Sequence, residues 1–238
     1  MSAPRSWPSG LPTALTFEHG SQAALPVRFG DDDVRFSEQL VSFFVERLTD
    51  PGDAVLDPFA GFGTTLVVAE SRGREAFGVE LDSDRATFIR SRMRAPDRLF
   101  TADARDLDAL PIPAVSLAIT SPPYSSPGDP EEALSAYRDP NPGYDRYLAD
   151  LQRVCRSVGL LLTPDGWLVI EAANLRRPDR VETLAWDIAR AVGRCCPSPG
   201  RSPCAGSRPT AMATTTATAC CSPLRTVSAL QSNRIYAI

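Results

Sequence analysis

The feature that most constrains the fold of this 238-residue chain is a regular alternation of short apolar runs with helix-like segments. Five apolar runs are predicted to be strands: AVLD (54–57), EAFGVEL (75–81), RLFTAD (98–103), AVSLAIT (114–120) and DGWLVIEAAN (165–174). Helical periodicity fills the gaps and follows the last run: TTLVVAESRG (64–73), DSDRATFIRSRMR (82–94), YDRYLADLQRVCRSVGLLLT (144–163) and VETLAWDIARAVG (181–193). This order predicts an α/β fold with a doubly wound, mostly parallel sheet. In such sheets, ligands bind outside the carboxyl ends of the strands.

Local signals support two of the predicted helix boundaries. Gly73 is the residue type best suited to a left-handed helix cap, and Asp82, Ser83 or Asp84 is expected to cap the next helix at its N-terminus. In the long helix, one apolar stripe is predicted from Leu148, Leu151, Val154, Cys155, Val158 and Leu162. Both Trp167 and Trp186 lie in apolar patterns and are expected in the core.

A glycine-rich turn directly follows the first predicted strand, in LDPFAGFGTT (56–65). Gly61 and Gly63 allow the backbone to approach a ligand closely, and Thr64 or Thr65 opens the next helix. The turn lacks the third glycine of the dinucleotide fingerprint, and no P-loop lysine follows it. A nucleoside without a phosphate chain therefore fits better than NAD or ATP. By itself, such a turn can equally serve packing.

Two acidic residues strengthen the ligand interpretation. Glu80 ends the second predicted strand, where a carboxylate can accept hydrogen bonds from both hydroxyls of a ribose. Asp103 occupies a comparable position after the third strand. Because the carboxyl ends of parallel strands share one edge of the sheet, both acids are expected beside the glycine-rich turn.

The fourth predicted strand runs into ITSPPYSS (119–126), which contains two adjacent prolines. Pro122 and Pro123 each fix a φ angle and remove a backbone donor, so they hold Ser121 and Tyr124 in a stiff bracket. Taken alone, the tetrapeptide could be a strand-ending turn with a packed tyrosine.

Together, LDPFAGFGTT, VEL, DAR and TSPPY resemble the motifs of the amino-methyltransferases of DNA, and the resemblance covers about residues 34–194. This family uses S-adenosylmethionine to methylate cytosine N4 or adenine N6. The resemblance implies a Rossmann-like class I methyltransferase fold. It also implies DNA as the partner, with the target base flipped out of the duplex.

The resemblance assigns cofactor roles by position. Glu80 would bind the ribose, and Asp103 the adenine. Phe36 and Ser37, in VRFSEQL, would lie near the cofactor. The methionine part would be held by four residues of the glycine-rich turn, Asp57, Phe59, Gly61 and Gly63, and Thr64 would also belong to the cofactor site.

The resemblance also gives the tetrapeptide a chemical role. An exocyclic amino nitrogen is a poor nucleophile because its lone pair is delocalised into the ring. Ser121 Oγ and the Pro122 carbonyl would accept its two N–H bonds and favour a tetrahedral nitrogen, while Pro123 keeps the loop rigid and Tyr124 stacks on the base. Serine at position 121 indicates cytosine N4.

Several functions remain open at this point. Adenine-N6 methylation is the nearest, because the association of serine with cytosine has exceptions. RNA guanine-N2 methyltransferases share the glycine turn and a similar tetrapeptide. Methylation of a protein glutamine amide goes more often with asparagine at position 121. The chain could also be an inactive remnant.

Composition changes sharply near residue 194. All 29 acidic residues precede it, whereas the tail contains five of the six cysteines and four arginines. We expect an N-terminal extension (1–33), a methyltransferase domain (34–194) and an atypical, disordered tail (195–238). An aberrant or truncated C-terminus would leave the sheet without its last strands.

The composition also bears on location and metal binding. No secretion signal or membrane span is visible, which predicts a cytoplasmic protein without a membrane partner. The cysteines lack metal-ligand spacing, and His19 is the only histidine, so no metal is expected.

Overall fold

A computed structural model describes residues 25–26, 29, 35, 37–124, 143–176, 178–193, 226–227 and 234–237. The α-helices in these ranges are α1 (Glu38–Leu48), α2 (Thr64–Ser71), α3 (Ser83–Arg90), α4 (Tyr144–Leu161) and α5 (Leu184–Val192). The strands are β1 (Ala54–Asp57), β2 (Glu75–Glu80), β3 (Leu99–Thr101), β4 (Val115–Thr120), β5 (Leu162–Ala173), β6 (Leu175–Arg176), β7 (Val181–Glu182), β8 (Thr226–Val227) and β9 (Arg234–Ala237). Short 3-10 helices cover Pro96–Arg98 and Ala104–Ala109.

The main sheet has the strand order β3-β2-β1-β4-β5-β9-β8. The pairs among β1, β2, β3, β4 and β5 are all parallel, and β9 pairs with β5 in the antiparallel direction. This topology confirms the predicted doubly wound, mostly parallel α/β sheet.

The expectation that the last strands are missing is wrong. Residues 234–237 pair with β5 from Ile170↔Ala237 to Ala173↔Arg234, and residues 226–227 extend the sheet beyond them. Without β9, the outer edge of β5 would present unpaired N–H and C=O groups, and an antiparallel strand satisfies them. The sequence RIYA contains a β-branched and an aromatic residue, Ile235 and Tyr236, which are types that favour strands.

Successive residues of the central strands pack alternately into two hydrophobic layers, one on each face of the sheet. Val55 and Leu117 pack with α1, α2 and α3, whereas Leu56 and Ala118 pack with α4 and α5. Strands buried on both faces account for the continuous apolar runs in the sequence.

Boundary predictions succeed where the signal is local. Gly73 adopts φ +77°, and Asp82 caps α3 by accepting from the backbone N–H groups of Asp84 and Arg85. Helix α1 was not predicted as an element.

Among the tryptophans, Trp167 is 3% exposed as expected, but Trp186 is 50% exposed. The prediction for Trp186 is wrong because the buried stripe of α5 consists of Leu184, Ala185, Ile188 and Val192, and position 186 lies outside it. None of the described helices has the length and apolar character needed to cross a membrane.

Candidate active site

The candidate site lies at the point in the sheet where the order in which strands are added reverses, between β1 and β4. From β1 the chain adds β2 and β3 on one side, and then returns to place β4 on the other side of β1. The loops after β1 and β4 therefore flank the crevice in which ligands of doubly wound sheets bind. The glycine-rich turn follows β1, and the Ser-Pro-Pro-Tyr loop follows β4.

The two glycines of the turn differ in what surrounds the position of a Cβ atom. Both have positive φ angles, +57° at Gly61 and +79° at Gly63. A Cβ at Gly63 would lie 2.7 Å from Cγ2 of Ile89, so its absence allows α2 and α3 to pack. A Cβ at Gly61 would meet only the Phe59 carbonyl oxygen, at 3.9 Å. Gly61 thus leaves open space of the kind that a close-lying ligand requires.

The Glu80 carboxylate joins the glycine-rich turn to the end of β2. It is 8% exposed, and it accepts from the backbone N–H of Gly61 at 2.7 Å and from that of Asp82 at 2.9 Å. Burial raises its pKa above the ordinary value, although these two hydrogen bonds oppose the rise. A carboxylate has about four acceptor positions, so Glu80 retains capacity for further donors.

Asp57 is turned into the protein and links the two loops. The residue is 1% exposed, and its Oδ1 accepts from the Thr120 hydroxyl at 2.7 Å and from the Phe59 N–H at 3.1 Å. Desolvation raises its pKa from 3.8 to about 6. Thr120 immediately precedes Ser121, so this bond fixes the start of the second loop against the start of the first. Sequence reasoning missed Thr120.

Asp103 is engaged by a neighbouring arginine. It caps the 3-10 helix that follows it and forms an ion pair with Arg105 at 2.7 Å. Arg105 also contacts Asp150 of α4 at 3.1 Å. All three side chains are largely buried. A donor from a ligand would have to share the Asp103 carboxylate with Arg105.

The Ser-Pro-Pro-Tyr loop is partly open to solvent. Pro122 is buried, Ser121 and Pro123 are half-buried, and the Tyr124 side chain is 38% exposed. The buried Tyr147 hydroxyl of α4 donates to the Pro123 carbonyl at 2.9 Å. Sequence reasoning missed Tyr147, because its position adjoins the predicted stripe of α4 without belonging to it.

The other residues predicted to bind the cofactor lie in the turn, at the start of α2 and before α1. Phe59 is half-buried, and Thr64 begins α2 and is 6% exposed. Ser37 is 5% exposed at the N-cap position of α1. Phe36 lies outside the described residues, as do most of the predicted extension and tail.

These features can be compared with the needs of S-adenosylmethionine. The open position at Gly61 and the spare acceptor capacity of Glu80 fit a bound nucleoside with an uncharged ribose. Asp103 fits only if its carboxylate can accept from a ligand while it remains paired with Arg105. Within the described ranges, no group of three or more histidine, cysteine, aspartate or glutamate side chains could hold a metal ion.

Comparison with known proteins identifies sequences that are similar to part of this chain. Residues 25–90 match the family model described as DNA methylase (N6_N4_Mtase). The type II methyltransferase M.BamHI of Bacillus amyloliquefaciens is 33% identical over 91 residues, which are 37% of this chain and 21% of that protein. The DNA adenine methyltransferase YhdJ of Escherichia coli (strain K12) is 45% identical over 47 residues, or 20% of this chain and 16% of that protein.

Among solved structures, an rRNA methylase from Streptococcus thermophilus aligns with a TM-score of 0.44 and 13% identity, covering 65% of this chain and 82% of that one. The curated relatives above are matched over about a fifth of their own length or less. Over these stretches, the chain is therefore similar to DNA methyltransferases.

Proposed function

We propose that the chain is a DNA methyltransferase that methylates the exocyclic N4 of cytosine. S-adenosylmethionine, when bound, supplies an electrophilic methyl group on a sulfonium centre. The observation that carries the proposal is the pairing of two loops across the β1–β4 crevice, joined by the hydrogen bond from Thr120 to Asp57 at 2.7 Å. One loop has space for a nucleoside cofactor, and the other presents a half-exposed serine and an exposed tyrosine.

The cofactor half uses backbone space and buried acids. Gly61 leaves room for close approach, Gly63 sets the path of the turn, and Glu80 accepts from the ribose hydroxyls while holding the Gly61 N–H. We assign Asp103 to the adenine edge, with Arg105 fixing the orientation of its carboxylate. We assign further contacts to the methionine part to Asp57 and Phe59, and other cofactor contacts to Thr64, Ser37 and Phe36, the last of which lies outside the described residues.

The target half supplies hydrogen-bond acceptors and a stacking surface. Ser121 Oγ and the Pro122 carbonyl accept from the amino group, which favours a tetrahedral nitrogen with an available lone pair. Tyr124, which is 38% exposed, stacks on a base that has left the duplex. Acceptors held in advance in the geometry of the transition state lower the barrier, because no further ordering is needed during transfer.

Serine at position 121 supports cytosine N4 over adenine N6. The adenine alternative is supported by the similarity to YhdJ, whose name states adenine as its substrate base. Mass spectrometry of DNA from cells that express the chain separates the two. We expect N4-methylcytosine; N6-methyladenine without N4-methylcytosine would overturn the base assignment.

Two further measurements test the enzyme class. Calorimetric titration with S-adenosylmethionine should give saturable binding, and the variant Glu80→Ala should bind more weakly. An Asp97→Ala variant, which alters an exposed carboxylate on the neighbouring 3-10 helix, is the matched control. Absence of binding by the wild type would favour an inactive remnant. Methylation of transfer RNA but not duplex DNA would favour the RNA guanine-N2 alternative.

A further inference from the structure

Tyr147 is the most deeply buried large side chain near the proposed target loop. It lies in the first turn of α4, is 0% exposed, and donates its hydroxyl hydrogen bond to the Pro123 carbonyl at 2.9 Å. Burial raises the pKa of its phenol, so the hydroxyl keeps its proton and remains a donor near neutral pH. A buried hydroxyl that meets a loop carbonyl both satisfies its own polarity and fixes the loop.

Two residues of the loop cannot contribute backbone donors, which gives a donor from another element a larger share in holding it. Pro122 and Pro123 have no N–H, and residues 121–124 form no strand or helix. The Pro123 carbonyl and the Tyr124 N–H belong to one planar peptide unit. A hydrogen bond to that carbonyl therefore sets the plane from which the Tyr124 side chain emerges, one residue beyond the proposed Pro122 acceptor.

Tyr147 is itself held on several sides. The Tyr144 ring stacks on it with centroids 6.0 Å apart and an interplanar angle of 22°. This ring contact does not involve the Tyr144 hydroxyl, which donates to Asp187 of α5 at 3.0 Å. Helix α4 packs in the same hydrophobic layer as α5. The hydroxyl of Tyr147 is thus carried by a rigid helix and not by a second loop.

We propose that Tyr147 is a positioning residue for methyl transfer, acting through the Pro123 carbonyl to hold Ser121, Pro122 and Tyr124 in the geometry that the target amino group requires. This inference rests on the proposed function. It assigns no contact between Tyr147 and the substrate. Misplacement of reacting groups by about 1 Å can lower a rate about 100-fold, so a distant hydroxyl can control the chemical step.

The test compares Tyr147→Phe with the matched control Tyr144→Phe. Each variant loses one phenolic hydroxyl from the first turn of α4 and keeps its ring, but only the first loses a bond to the target loop. For Tyr147→Phe we expect a fall in kcat of about 10- to 100-fold, with the dissociation constant for S-adenosylmethionine unchanged within about twofold. Tyr144→Phe should keep kcat within about threefold of wild type, because its hydroxyl does not touch the loop.

Hydrogen–deuterium exchange of the peptide containing the Tyr124 amide gives a readout that does not depend on activity. Exchange should be faster in Tyr147→Phe and unchanged in Tyr144→Phe. Equal effects of the two variants on kcat and on exchange, or no effect of Tyr147→Phe on either, would overturn the inference. If the wild type transfers no methyl group to DNA or RNA, the proposed function fails, and the exchange comparison alone then decides whether Tyr147 positions the loop.

Discussion

The loops after β1 and β4 lie side by side, but they are held in different ways. The glycine-rich turn after β1 takes its shape from two left-handed glycines and from a carboxylate, Glu80, that accepts a backbone N–H. The Ser-Pro-Pro-Tyr loop after β4 contains two residues without N–H groups and is held by hydroxyl donors from Thr120 and Tyr147.

The difference follows from which backbone donors and acceptors each loop offers for hydrogen bonds. Glycine keeps its backbone donor, so a nearby acid can secure the turn. Proline has no backbone donor; here the Pro123 carbonyl accepts from the hydroxyl of Tyr147 on α4, and Thr120, just before the loop, donates to Asp57 at the end of β1. The first loop thus combines left-handed glycines with an acceptor from β2, and the second combines stiff prolines with a hydroxyl donor from α4.

The largest expected effect concerns Arg105, which joins Asp103 after β3 to Asp150 of α4. Arg105→Met would remove the cation that pairs with the buried Asp103 carboxylate, while Asp150 would keep Arg146 at 3.0 Å, and should lower the free energy of unfolding by about 3 kcal/mol. Urea unfolding measures the loss. The control Arg153→Met removes a pair that is 57% and 58% exposed, and should cost less than about 1 kcal/mol. Equal costs would contradict a buried link between the two regions.

The second prediction concerns the pH dependence of the bond between the loops. Burial raises the pKa of Asp57 from 3.8 to about 6, so the folded state binds this proton more tightly than the unfolded state does. The associated stability is fully present below about pH 4 and is lost as pH rises through about 6. Relative to Asp57→Asn, which keeps an acceptor oxygen, the wild type should lose about 3 kcal/mol of unfolding free energy between pH 4 and pH 7.

Urea unfolding at several pH values provides this measurement, and Asp97→Asn, at an exposed site, is the control. Parallel stability curves for the wild type and Asp57→Asn would show that Asp57 is not held in a desolvated site.

The third prediction separates the two glycines of the first loop. Gly63→Ala introduces a left-handed alanine and a contact of 2.7 Å with Ile89, and should cost about 2–3 kcal/mol of unfolding free energy. Gly61→Ala introduces the backbone strain without the contact and should cost about 1 kcal/mol. For cofactor affinity we expect the reverse order. Relative to its cost in unfolding free energy, Gly61→Ala should weaken S-adenosylmethionine binding more than Gly63→Ala does. Calorimetry on both variants checks this order.

The smallest effect is expected for the stiffness of the second loop. Pro123→Ala keeps the carbonyl that accepts from Tyr147 and adds mainly freedom to the unfolded chain. The expected loss is about 0.4–1 kcal/mol in thermal unfolding. A loss well above that range would mean that the proline ring, and not the distant hydroxyl, holds the loop.

Much of the fold could be predicted because its signals are local. Apolar runs set the five parallel strands, and the cap at Asp82 and the left-handed Gly73 follow from the chemistry of single residues. Trp186 shows the limit of this reasoning: an apolar neighbourhood in sequence did not decide which side of α5 faces the core. The RIYA strand shows a second limit, since four residues in an anomalous tail pair only because β5 offers them an open edge.

By itself, the sequence determined the order of strands and helices and the conformational limits of both loops, because periodicity and φ restrictions act within a few residues. Only the tertiary structure decided which groups meet: Glu80 with Gly61 across 19 residues, Tyr147 with Pro123 across 24, and Thr120 with Asp57 across 63. The reason is physical, since a hydrogen bond requires two groups within about 3 Å, and strand order and helix placement bring distant parts of the chain that close.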